Sequence, residues 1–71
     1  MAKGKIADYA KTRVAIIRLQ NRLFKLDEAT EMVEPHRKLG DALDAFDAAL
    51  AKIGALGEVW NYQNSHHLLN K

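Results

Sequence analysis

At 71 residues the chain is about half a typical domain, so one folded unit is expected and a second core is excluded by length. It has no cysteine, which removes disulfides, thiolate metal sites and cysteine nucleophiles together. A formal net charge of +2 with a pI near 9.1 falls short of what a dedicated electrostatic nucleic-acid binder carries.

A chain this short buries only about 60% of the surface its unfolded form exposes, and it usually needs a metal, a staple or a partner subunit. With no cysteine to use, a partner subunit is the expected answer. Charge is unevenly spread: residues 1–38 hold nine Lys and Arg against five acids, and residues 39–71 hold two against four. A basic half followed by an acidic half favours pairing the two. Apolar runs such as Val14 to Ile17 are far too short to span a bilayer, and the start is not followed by a signal-peptide core. These features point to a soluble, cytoplasmic protein.

Lys5 to Val33 has no Gly or Pro, which predicts a helix of 29 residues, about 43 Å long. Two apolar seams run along it. Ile16, Leu19, Leu23, Leu26 and Val33 form the first, with Tyr9 in line above them. Ile6, Ala10, Ile17 and Phe24 form the second, about 100° away. A polar row of Arg13, Gln20 and Asp27 lies between the seams, so the helix is expected to touch two neighbours. Arg13 and Asp27 either reach water or pair with charges on an adjacent helix, or else Gln20 and Arg13 set register in an oligomer.

Pro35 disfavours the α conformation at Glu34 and suits the first turn of a new helix. A second helix over about 35–54 follows, with Leu39, Leu43, Phe46, Leu50 and Ile53 as its inward seam. Asp41 is an alternative N-cap because Gly40 weakens the first turns, and Gly54 or Gly57 supplies the stop. A turn of one or two residues sends this helix back antiparallel on the Leu19/Leu26 side of the first, with Ile53 opposite Ile16. Asp41, Asp44 and Asp47 then face Arg13 or the basic side. The tail, helical or irregular, places Val59, Tyr62, His66 and Leu69 on one side and brings Trp60 or Tyr62 against Ile6, Tyr9 or Ala10. The fold class is therefore all-α: one domain over 1–71, an antiparallel helical hairpin with a short C-terminal segment packed on its open end.

Material for catalysis is thin. His36, His66 and His67 do not share a helical face with acids at metal-ligand spacing, and Ser65 beside His66 is not an oriented nucleophile and base. No phosphate loop or metalloprotease motif is present. The expectation is a non-enzymatic protein with no metal and no cofactor, acting on no small-molecule substrate.

Two function classes remain. The first is a helical interaction module that self-associates as a dimer or docks on and modulates a larger protein, using Ile6, Ala10, Ile17 and Phe24 with Arg13 and Gln20. The second is an RNA- or DNA-binding hairpin dimer that uses Lys11, Arg18, Arg22 and Lys25, a basic stripe on the outer side of the first helix. In overall plan the chain is similar to small plasmid- or phage-encoded helical hairpin regulators, including the RNA-binding hairpin dimer of plasmid copy control. That likeness implies a regulatory role through an oligomer.

Overall fold

The computed structural model describes residues 2–26 and 30–70. Three α-helices follow one another: α1 over Ala2–Lys25, α2 over Val33–Lys52 and α3 over Leu56–Ser65, with short 3₁₀ turns at Thr30–Met32 and Leu68–Asn70. The fold is all-α, with α1 and α2 as the antiparallel hairpin. α1 is the spine, packing on both α2 and α3, which touch each other far less.

The first helix stops at Lys25, eight residues before Val33, and that corrects its expected end. Its last turn tightens, with Leu26 N–H donating to Leu23 C=O at 2.9 Å. The charges explain the stop. Arg22 and Lys25 occupy the last turn of α1, where the helix dipole favours cations, and the acids that follow would be unfavourable there. Glu31 falls instead in the 3₁₀ turn and Glu34 in the first turn of α2. Pro35 is the third residue of α2, a position whose N–H has no helical acceptor. Asp27 lies outside the described residues.

The longer connection changes the register. Arg13 meets Asp47, Gln20 lies against Gly40, and the Phe24 and His36 rings sit 5.6 Å apart. These rungs step by seven and four residues on both helices, and continuing them puts Ile53 level with Ala7 rather than Ile16. A Cβ at Gly40 would come within 3.1 Å of Gln20 Nε2, so a larger residue at this position would press on the Gln20 side chain. Gly40 stays inside α2, and Asp41 is not the helix start.

The side of contact is also corrected. α2 lies along the Arg13/Gln20 row, leaving Leu19 and Leu26 more than half exposed and Val33 half exposed. The apolar core sits higher, where α3 joins. Ile6, Ala10, Leu50, Ala55 and Val59 are buried together, with Tyr9, Phe46, Leu56, Tyr62 and Leu68 packed around them. Tyr62 thus packs on the cluster that holds Ile6 and Ala10, as the tail was expected to do. On α3, however, Val59 and Gln63 point inward, while His66 and Leu69, beyond its end, are exposed.

Two caps place α3 and the tail. Gly54 takes φ +73, its N–H donates to Ala51 C=O at 3.1 Å, and Ala55 N–H donates to Leu50 C=O at 2.9 Å. This is a Schellman cap, closed by the buried contact of Ala55 with Leu50. It turns the chain so that α3 begins beside Ile6. At the other end of α3, His67 takes φ 51 and its N–H donates to Asn64 C=O. That turn brings Leu68 back to α1.

The molecule measures 42 × 26 × 14 Å. Its radius of gyration is 13.3 Å, against about 11 Å for a compact chain of this length.

Candidate interaction surfaces

Arg13 is the polar centre of the fold and is only 4% exposed. Its Nε and Nη2 donate to the two carboxylate oxygens of Asp47 on α2, at 2.8 and 3.1 Å. Its Nη1 donates to Gln63 Oε1 on α3 at 2.8 Å. The guanidinium also lies over the Trp60 ring, 4.1 Å from its centroid, an attractive cation–π geometry. One side chain from the row between the seams therefore ties all three helices. Gln63, 3% exposed, owes its partner to Arg13, because a buried amide needs one.

The proposed partner seam is divided by this arrangement. Ile6, Ala10 and Arg13 are buried inside the single chain and are not available to a partner. Gln20 is half-buried against Gly40. Ile17 is half-buried and Phe24 is 66% exposed. The cause is the length of α3: it covers the upper half of α1 and stops, so the lower part of the hairpin has two helices where the upper has three. At that end Phe24, Leu26 and Val33 are all exposed. Ile53, at the opposite end, is exposed as well.

Lys11, Arg18, Arg22 and Lys25 are all exposed. The first three line an open groove of about 520 Å³ together with Val14, Ala15, Leu19 and Leu68. Leu68 comes from the C-terminal turn, held there by Arg18 Nη2 donating to the Leu68 carbonyl at 2.6 Å. Sequence reasoning found the cations but not the groove. The one available signal was the apolar pair Leu68-Leu69 ending a polar tail.

The histidines are dispersed. His36 lies beside Phe24, and His66 stacks on Tyr62 with centroids 3.9 Å apart while its Nδ1 lies 3.0 Å from the Tyr62 carbonyl. Ser65 and His66 rim a shallow depression of about 430 Å³ with Ile6, Glu58, Asn61 and Tyr62. Among the described residues, no three His or acidic side chains gather as a metal site, and no helix is long and apolar enough to cross a membrane. No protein-family model matches this chain, and neither a curated protein nor a solved structure matches it.

Proposed function

We propose that this chain is a non-enzymatic helical interaction module of the cytoplasm that self-associates through the exposed end of its hairpin. The observation that carries this reading is the balance of apolar side chains. Among the described residues six apolar ones are buried, two of them alanines, and seven large ones are exposed, namely Leu19, Phe24, Leu26, Val33, Ile53, Trp60 and Leu69. A chain too small to waste core residues gains most by covering them with a second copy.

The surface area supports the same reading. The accessible surface is 5178 Å², about 700 Å² more than a compact monomer of this mass exposes. That excess is close to one partner's share of a standard interface, about 800 Å². Phe24, Leu26 and Val33, with half-buried Ile17 beside them, are the residues assigned to the contact.

The test is a pair of charge substitutions. Phe24→Asp combined with Val33→Asp is expected to weaken self-association by at least about 100-fold, since each buries an unpaired carboxylate. Ile53→Asp, equally exposed at the far end, is expected to leave it unchanged. Sedimentation velocity reads both, with circular dichroism showing retained helix. Equal effects of the two substitutions would contradict the assignment.

A second reading, nucleic-acid binding by the dimer, draws on the alignment of Lys11, Arg18 and Arg22 along one groove. Against it stands the groove's lining, which offers no aromatic face on which a base could stack.

A further inference from the structure

The hairpin end is too small to hold a dimer by itself. A standard interface takes about 800 Å² and about 20–30 residues from each partner, far more than Ile17, Phe24, Leu26 and Val33 supply. The continuation lies on the face of the hairpin turned away from α3. Val59 of α3 packs with Ile6 and Ala10 on one side of the Arg13/Gln20 row. Turning the other way around α1 brings up Thr12, Ile16, Leu19, Leu23 and Leu26, in steps of four and three. On α2 the same face carries Leu39, Ala42, Phe46, Ala49 and Ile53, in steps of three and four. The Tyr9 and Phe46 rings meet edge-on at this side of the hairpin, 6.5 Å apart. All the residues of these two seams are half-buried or exposed in the single chain.

The seams differ in bulk. From Ile16 to Leu26 the α1 seam is large at every step, while the α2 seam alternates, with Ala42 and Ala49 set between Leu39, Phe46 and Ile53. Leu26 belongs both to this face and to the hairpin end, so the two surfaces are continuous.

We infer that the second copy stacks on this face about a two-fold axis parallel to the helices, so that α1 of each copy lies on α2 of the other. The inference rests on the self-association proposed above and assigns its geometry. Rotation about such an axis leaves heights along the helices unchanged, so residues level within one hairpin are level between copies. The rungs Arg13/Asp47, Gln20/Gly40 and Phe24/His36 then set Leu19 within one residue of Ala42 of the second copy, and Thr12 within one residue of its Ala49. Large side chains meet small ones, which fills the layers evenly. An axis across the hairpin instead lays α1 on α1, crowding leucine on leucine, and lays α2 on α2 with alanine facing alanine.

Charge at the rims fits the same stacking. Asp8 stands level with Lys52 of the second copy, both exposed. Arg22 stands level with Lys38 of the second copy and within about one turn of its Glu34 and Asp41. At the upper end Ile53 faces Lys5, Asp8 and Thr12 of the second copy, all exposed and polar. That stretch stays wet, so Ile53→Asp is neutral in this arrangement as well.

The chain has no cysteine, so single introduced cysteines report the packing directly. Leu19→Cys and Ala42→Cys chains are mixed at about 200 µM under a mild oxidant, and the covalent dimers are sorted by intact mass. Unlike pairs are expected to exceed either like pair by at least about tenfold, because a disulfide needs Cα atoms within about 7 Å. Ala42→Arg is expected to weaken self-association at least about tenfold in sedimentation velocity. Ala48→Arg, also exposed but about 120° away around α2, is expected to leave it unchanged. Like pairs of Leu19→Cys matching the unlike ones, or no covalent dimer from a mixture that sediments as a dimer, would overturn the stacking while self-association stands. Undiminished association of Ala42→Arg would do the same and confine the contact to the hairpin end. A wild-type chain that sediments at the single-chain mass would overturn both the stacking and the reading beneath it.

Discussion

Arg13→Ala is expected to remove most of the cooperative thermal transition of this protein, followed by ellipticity at 222 nm. Arg13 is buried, holds both carboxylate oxygens of Asp47 and the side-chain Oε1 of Gln63, and carries Trp60 on its face. Truncation leaves Gln63 without its partner in a site where it is 3% exposed. It also strands the carboxylate of Asp47, whose side chain is 25% exposed and keeps some hydration. Breaking a buried ion pair by removing one member costs about 3–5 kcal/mol, and the partial exposure of Asp47 places this case near 3. A single small core rarely provides more than about 3–5 kcal/mol in total, so the loss consumes most of it. Asp47→Asn, which keeps a hydrogen-bond acceptor, is expected to cost less than half as much. A melting temperature for Arg13→Ala within a few degrees of wild type would show that the node does not hold the helices together.

The second large effect falls on Leu50. It is 2% exposed and meets Ile6, Ala10, Ala55 and Val59 where all three helices converge. Its carbonyl also accepts the Ala55 N–H that closes the Schellman cap. Leu50→Ala is expected to cost about 3 kcal/mol, because the lost methyls leave a cavity that rigid helix backbones cannot fill. Leu19→Ala makes the same chemical change at a site 52% exposed, and its expected cost is below about 0.5 kcal/mol. Urea titration of the two variants side by side, at a concentration that keeps the protein monomeric, measures the difference. Equal costs would mean that burial in the single chain does not rank these leucines.

How much of this was legible in the sequence depends on the residue. The helical hairpin was readable from the three-and-four spacing of apolar residues, and a spine with two neighbours from the polar row between its seams. Arg13 fulfils that reading, contacting α2 through Asp47 and α3 through Gln63. The side on which α2 packs was not readable. Leu19, Leu26 and Val33 form as good an apolar stripe as any, but the fold satisfies Arg13 and lets Gln20 approach Gly40 instead. Periodicity tells which residues share a face, not whether that face meets the same chain, another chain or water.

The end of α1 was missed for a different reason. The run Lys5–Val33 has no helix breaker, so only the placement of charge marks the stop, with Arg22 and Lys25 before it and acids after it. That one break shortens the spine and sets the register. It also leaves Phe24, Leu26 and Val33 exposed at the hairpin end. The groove wall was hidden because Leu68 reaches α1 only through the left-handed turn at His67.

Under the proposed function a second copy covers the hairpin end in solution. The most direct test is the mass of the wild-type protein by sedimentation equilibrium across concentration, in enough salt to screen surface charge. A chain of 8.0 kDa is expected to approach about twice that mass at about 200 µM and to fall toward the single-chain value on dilution. A constant mass of 8.0 kDa over that whole range would contradict the account.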